Sequence, residues 1–261
     1  MSTDHGTLSA ELWLRRFQPG PPDGPRLVLF PHAGGAASFF IPLAKAMAPV
    51  AEVLAVQYPG RQDRRLEPLH TSIAPLADAL AEVISGLPDD RPLVLFGHSM
   101  GAIVAFEVIR RLAAAGGPRP ALLVVSGRRA PSAQRDEAYH LLPEAAFVAE
   151  MATLGGTDPR VLAEPELLEL ILPPTRADYQ AIETYVPDAD AVISTPVVAL
   201  IGDTDPRVTT AEAQLWHRHT TASLDLRQFP GGHFYLVERH AAVADTLAQL
   251  LAALSTEHRT F

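Results

Sequence analysis

Short runs of apolar, often β-branched residues alternate along this chain with longer stretches in which apolar positions recur every three or four residues. The short runs predict strands at Leu12–Phe17, Leu27–Phe30, Val53–Tyr58, Leu93–Phe96, Leu122–Ser126, Val197–Ile201 and Leu224–Phe229. The longer stretches predict helices at Ala36–Ala48, Ser72–Leu87, Ala102–Ala115, Ala211–His219 and Ala241–Leu254. Strand followed by helix, repeated, is the rhythm of a mostly parallel sheet with crossover helices on both faces, so the expected class is α/β.

One stretch breaks the rhythm. From Ser132 to Ser194 no good strand occurs, and helical patterns at Glu144–Leu154 and Pro165–Tyr185 follow one another. Residues 132–194 therefore read as a helical insertion within a single domain spanning 1–261. Because open α/β sheets bind ligands beyond the carboxyl ends of their strands, an insertion late in the sheet is placed to act as a lid. Gly155, Gly156, Pro173 and Pro174 are expected to divide it into short mobile pieces. Leu167, Leu168 and Ile171 would then face a bound ligand or the core.

Composition narrows the function. With 21 Lys and Arg against 30 Asp and Glu the formal charge is −9, which disfavours nucleic acid as a partner. The absence of cysteine excludes disulfides, Cys-ligated zinc, iron–sulfur clusters and a cysteine nucleophile. The first ten residues lack the basic start and apolar stretch of a secretory signal, and no apolar run approaches the roughly 20 residues of a membrane span. A cytoplasmic, non-membrane, monomeric protein is expected.

The sharpest chemical signal is Gly97-His98-Ser99-Met100-Gly101, between a predicted strand and a predicted helix. This is G-x-S-x-G in its strand–turn–helix setting, where the flanking glycines let a serine occupy a tight, strained turn at a helix N-terminus. A serine nucleophile needs a histidine base, and the base needs an acid; on such an elbow they follow in the order Ser, acid, His. His233, in the Gly-rich loop after the last strand, is the base. His217, His219 and His240 read as surface histidines, while His32 and His98 flank the key turns and shape the site. The loop after Val197–Ile201 offers two acids. Asp203 is suited to bonding its own turn, and Asp205, ahead of Pro206, projects further and is chosen. The oxyanion would be met by the backbone N–H groups of Met100 and of Ala33, in Pro31-His32-Ala33-Gly34-Gly35.

These segments, together with Gln57-Tyr58-Pro59-Gly60-Arg61 and Gly231-Gly232-His233-Phe234-Tyr235-Leu236, resemble the type II thioesterases that accompany polyketide synthases and nonribosomal peptide synthetases. The resemblance runs in order from about Leu12 to Leu254. It implies an α/β-hydrolase fold with a helical lid and a Ser99, Asp205, His233 triad. It also implies a substrate: aberrant or stalled acyl groups held as thioesters on the phosphopantetheine arm of an acyl or peptidyl carrier domain. No metal or cofactor is implied. Carrier domains are usually acidic, so docking onto a chain of charge −9 calls for a local basic area. His32, Arg128 and Arg129 are candidates for substrate or carrier contact, and Arg61, Arg64 and Arg65 form a second basic loop.

Overall fold

The computed structural model describes residues 10–88, 91–188 and 190–258, with side chains through 254. Seven strands form one sheet: β1 (Leu14–Arg15), β2 (Arg26–Phe30), β3 (Glu52–Val56), β4 (Leu93–His98), β5 (Leu122–Ser126), β6 (Val197–Gly202) and β7 (Leu224–Phe229). Their order is β1-β3-β2-β4-β5-β6-β7, with β1 antiparallel to β3 and every other pair parallel. Strands β2 to β6 are buried along their whole length, which is why they read as continuous apolar runs. The edge strand β7 is only partly covered and carries Asp225, Arg227 and Gln228.

Alternate residues of each strand face opposite layers. Val28 and Phe30 join a cluster built on α2 (Ile73–Ser85) and α3 (Met100–Ala114), whereas Leu27 and Leu29 join one that takes in α1 (Ile41–Met47) and α9 (His240–His258). The connection from β2 leads outward to β3 and the next returns to β4 on the other side. The loops after β2 and β4 therefore diverge at the switch point, leaving a crevice at their carboxyl ends.

Several predicted elements are shorter or differently built. The strand expected at Leu12–Phe17 has two paired residues, Leu14 opposite Val56 and Arg15 opposite Ala55, on an edge where Leu12 is exposed. The helix expected at Ala36–Ala48 begins as a 3-10 turn, Ala37–Phe40, before α1, whose first turn holds Pro42. The next expected helix after β6 is α7 (Thr210–Gln214), capped by Thr209 and Glu212, and it tightens into a 3-10 turn at Leu215–His219. A short helix, α8 (Tyr235–Glu238), follows the β7 loop unforeseen.

Between β5 and β6 the chain forms α4 (Glu144–Leu154), α5 (Pro159–Ala163) and α6 (Pro165–Glu183), with no strand among the described residues beyond an isolated bridge from Ile193 to Thr220. Gly155 ends α4 at φ +78°, a left-handed cap that glycine adopts without strain. Pro173 and Pro174, however, do not break α6. The carbonyls of Glu169 and Leu170 lose their helical donors where both residues are exposed to water, and the Thr175 hydroxyl donates to the Ile171 carbonyl at 2.6 Å. Among the described residues no helix is long and apolar enough to cross a membrane.

Candidate active site

The turn from β4 into α3 holds Ser99 at φ 53°, ψ −117°, a conformation that a non-glycine residue keeps only when its surroundings impose it. They do so by close packing. A Cβ on Gly97 would lie 2.2 Å from the Gly101 carbonyl oxygen, and one on Gly101 would lie 2.1 Å from that of Phe30. The Ser99 N–H is tied across to the Ser126 carbonyl of β5 at 2.8 Å. The serine side chain is thus pushed out at the head of α3.

His233 and Asp205 come to it from the next two loops. The Ser99 hydroxyl lies 3.0 Å from His233 Nε2, and His233 Nδ1 lies 2.9 Å from Asp205 Oδ2 and 3.1 Å from Oδ1. The imidazole tautomer with its proton on Nδ1 satisfies both contacts: Nδ1–H donates to the carboxylate, and Nε2 accepts from the hydroxyl. Both His233 and Asp205 are buried. Asp205 Oδ1 also accepts the Arg207 N–H at 2.8 Å, so the Asx-type bond assigned to Asp203 from sequence is made by Asp205. Asp203 instead accepts the Gly231 N–H at 2.9 Å, holding the histidine loop against the β6 loop.

Two more histidines line this floor. His32 stands edge-on to Phe39 and Phe234, and burial, with the charges of His233 and Arg61, pushes it down to about 3. His98 is fully buried, and burial, with His233 and His32, holds it well below the usual histidine range. Its Nδ1 lies 3.0 Å from the Ser126 hydroxyl, which lies 2.7 Å from the Tyr235 hydroxyl. Both rings are neutral at pH 7 and act as packing that fixes the two turns.

Ala33 and Met100, the residues expected to meet the oxyanion, lie on the two turns at the site. Met100 opens α3, so its N–H has no partner within the helix, and Ala33 lines the same cavity as Ser99. The Ala33 loop is held from above. Gly34, at φ +78°, donates its N–H at 2.7 Å to Asp178 Oδ2 of α6, and the same oxygen receives the Arg61 guanidinium. Asp178 was not singled out from sequence, although its position carried a signal: Pro174, Ala177, Asp178 and Ala181 form one buried stripe of α6, and a carboxylate there needs partners. Burial raises its carboxyl, against the pull of Arg61 and the Gly34 N–H.

Met151, Thr175 and Tyr179, from the segment between β5 and β6, line a cavity of about 60 Å³ together with Ser99 and His233. Of the three residues expected to face a bound ligand or the core, Leu168 and Ile171 take the second course and pack on a small cluster of Phe147, Met151 and Leu172, whereas Leu167 is exposed. The basic loops also differ from expectation. Arg61 is buried on Asp178 and the Pro59 carbonyl, Arg64 on Glu67 and the Gln57 carbonyl, and Arg129 on Glu137, so none of the three presents its guanidinium for docking. Each follows a strand at the active-site edge but turns inward to satisfy a carboxylate or carbonyl. Arg65 alone of the second basic loop is exposed, and Arg128 points into the cavity. His219, taken for a surface residue, is buried between Ser132 and the Ala191 carbonyl, whereas His217 and His240 are exposed.

A serine on a strand–helix elbow, a histidine and a carboxylate on successive loops, and a mostly parallel sheet beneath them define a serine-hydrolase type of site on an α/β-hydrolase fold. The thioesterase domain family matches residues 25–251, and the chain belongs to that family. It is 46% identical over 244 residues to thioesterase PikA5 of Streptomyces venezuelae, covering 94% of this chain and 87% of that one. It is 48% identical over 244 residues to a probable cadicidin biosynthesis thioesterase of Streptomyces griseus, covering 93% and 67%. Among solved structures it is similar to the type II thioesterase BorB from the borrelidin biosynthetic cluster, with 43% identity, TM-score 0.81, and 92% and 97% of the two chains covered. The type II thioesterase YbtT of the yersiniabactin pathway superposes with TM-score 0.82 at 32% identity, covering 91% and 97%.

Proposed function

We propose that the protein hydrolyses acyl groups held as thioesters on the phosphopantetheine arm of acyl or peptidyl carrier domains in polyketide or nonribosomal peptide synthesis, removing aberrant or stalled groups through an acyl-serine intermediate. The observation that carries this is the unbroken relay from Asp205 through His233 to Ser99, in a member of the thioesterase family.

The steps follow from the geometry. His233 Nε2 takes the Ser99 proton as Oγ attacks the thioester carbonyl, and Asp205 steadies the imidazolium through Nδ1–H. The carbonyl oxygen becomes an anion between the Ala33 and Met100 amides, in the field of the α3 N-terminus. The C–S bond then breaks, and the His233 imidazolium returns its proton to the departing thiolate, whose thiol pKa of about 8.5 makes it a good leaving group, so a single histidine suffices. Water, deprotonated by the now neutral His233, attacks the acyl-serine, and the proton passes to Ser99 Oγ as the free acid leaves. These steps call for no metal or diffusible cofactor.

Residues 132–194 act as the lid of this single domain, admitting the arm and then limiting water around the acyl-serine. Such an enzyme works in the cytoplasm beside the synthase whose carrier domain is its partner. The test loads a short acyl group on a phosphopantetheinylated carrier protein and compares it with matched free thioesters and oxyesters, with Ser99→Ala as control, following the acyl group by mass spectrometry. Release of free acid from the carrier, faster than from the free thioester and lost by at least about 10³-fold in Ser99→Ala, is the expected result. Turnover of oxyesters alone, or a variant as active as the parent, overturns it.

A further inference from the structure

The Gln57–Arg61 segment, which follows β3, lines no part of the cavity at Ser99, yet it braces the loop that carries Ala33 from the outside. The Ala37 N–H donates to Gln57 Oε1 at 2.8 Å, Gln57 Nε2 donates to the Arg61 carbonyl at 3.2 Å, and the Tyr58 hydroxyl donates to the Pro31 carbonyl at 3.3 Å. Gln57 and Tyr58 are fully buried, so these polar groups are satisfied inside the protein. Arg61 donates to the Pro59 carbonyl at 2.9 Å and closes on Asp178 of α6. The segment thereby reaches the loop twice, directly through Gln57 and Tyr58 and indirectly through the carboxylate that Arg61 holds.

What that carboxylate does follows from the turn it meets. The Gly35 N–H donates to the His32 carbonyl at 2.9 Å, closing a tight turn whose third residue, Gly34, stands at φ +78°, the conformation glycine supplies in a type II turn. A side chain there is excluded twice over, because a Cβ on Gly34 would lie 2.4 Å from Thr175 Oγ1. Such a turn leaves two N–H groups that its own hydrogen bond does not use, those of Ala33 and Gly34. Asp178 Oδ2 accepts the Gly34 N–H at 2.7 Å, which leaves the Ala33 N–H for the oxyanion. A carboxylate one peptide unit from an oxyanion donor also opposes the negative charge that develops there. The Arg61 guanidinium, buried on the same Oδ2, cancels that charge where it arises.

We propose that Arg61 is a positioning residue for the oxyanion: it holds Asp178 on the Gly34 N–H and cancels its charge, so that the Ala33 amide meets the developing anion with no second negative charge beside it. The inference rests on the reading of Ser99 as an acyl-accepting nucleophile and adds a residue that touches neither the triad nor the substrate. It also gives the two halves of the pair different parts. Asp178 orients the turn, and Arg61 makes a carboxylate tolerable so near the site of charge development. Removing Arg61 alone is therefore worse for the reaction than removing both charges together, since an asparagine at 178 still offers a carbonyl to the Gly34 N–H.

The test measures hydrolysis of butanoyl-pantetheine and inhibition by propyl trifluoromethyl ketone, whose adduct with Ser99 carries an oxyanion. The parent is compared with Arg61→Met, Arg61→Lys and the double variant Arg61→Met with Asp178→Asn, each corrected for its folded fraction by circular dichroism. Arg61→Met is expected to lower kcat about 30- to 100-fold with KM within about twofold of the parent, and to weaken the ketone by the same factor as kcat/KM. The double variant should regain at least about fivefold in kcat over Arg61→Met, and Arg61→Lys, which keeps the charge, should lose only about 3- to 10-fold. Should Arg61→Met fail to fold, Arg61→Lys and the double variant still carry the comparison: both must lose kcat and ketone affinity together at constant KM. A KM that rises at constant kcat makes Arg61 a substrate contact and overturns the proposal. So does a lowered urea midpoint with kcat and ketone affinity unchanged, or a double variant no faster than Arg61→Met. If the parent cleaves 4-nitrophenyl butanoate but not the thioester, the thioesterase reading fails, and the same variants on the ester still decide the part of Arg61.

Discussion

The floor and the roof of the active site are held by different forces. The floor, comprising the turns that carry Ala33, Ser99, Asp205 and His233, stands on β2, β4 and β6, buried on both faces, and on the partly covered edge strand β7, backed by two large apolar clusters. Its tolerances are steric, as the glycines at 97 and 101 show. The roof, formed by residues 132–194, has a small cluster of its own around Phe147, Met151 and Leu172 and joins the main core through Ala181, Ala191 and Ile193. Over the site it is held by polar contacts, Asp178 to Gly34 and Arg61 and Glu150 to Arg207, while Arg176 binds the His140 and Leu142 carbonyls at 2.6 and 2.8 Å within the roof itself. Close packing has one solution, whereas a set of ion pairs can be exchanged for water at modest cost. The same crevice thus has a closely packed base and a cover held more by polar contacts.

The contrast is broken most severely at Gly101. Gly101→Ala sets a Cβ against the Phe30 backbone oxygen at 2.1 Å and should lower stability by more than about 3 kcal/mol in urea unfolding; a loss under about 1 kcal/mol would show the floor to be pliant. Asp178→Asn acts on the roof and reaches the floor only through Gly34. It should lower kcat about tenfold through the loosened Ala33 loop and, by leaving the buried Arg61 guanidinium without its carboxylate, also lower the urea midpoint, and an unchanged kcat would separate roof from oxyanion loop.

Acid should distinguish the two next. His32 and His98 have folded pKa values below their unfolded value near 6.5, so the unfolded chain binds protons that the folded one refuses. Stability then falls as pH drops below about 6.5, by up to about 1.4 kcal/mol per pH unit for each ring. Glu137 in the roof is instead lowered: burial would raise it, but Arg129, Arg207 and Arg128 hold it down, so its contribution persists above its unfolded value and is lost only in stronger acid. Urea midpoints at pH 7, 6 and 5 check this order, and a flat profile for the parent, or one as steep in His32→Gln, contradicts it. The smallest effect belongs to Leu167→Ser on the exposed side of α6, expected within about 0.5 kcal/mol of the parent in stability and without change in kcat/KM.

The floor was far more legible in the sequence than the roof. Strands covered on both faces leave apolar runs, an elbow leaves its glycines, and chain order picks out Ser99, Asp205 and His233 among the candidates, which the structure brings within hydrogen-bond distance. The roof depends on pairs far apart in the chain. Asp178 meets Gly34 across 144 positions and Arg61 across 117, and no local pattern in α6 indicates where it docks. For Arg61, Arg64 and Arg129 the sequence located the loop but not the direction of a long side chain, which the nearest buried acceptor decided. The prolines at 173 and 174 misled because their cost is partly offset where the structure holds the segment helical: the carbonyls they free belong to exposed residues that water can reach, and the turn around them is buried against the site.

The backbone at Ser99 has a further consequence. A left-sided φ of 53° with ψ −117° places a residue with a Cβ where glycine would be at ease, at a cost on the order of 1–3 kcal/mol carried by every folded molecule. Evolution of this chain toward greater heat resistance therefore meets an opposing pull at one codon: Ser99→Gly would raise the melting temperature and end the chemistry in the same step. The position that makes the enzyme useful is where selection for durability and selection for turnover are in direct conflict.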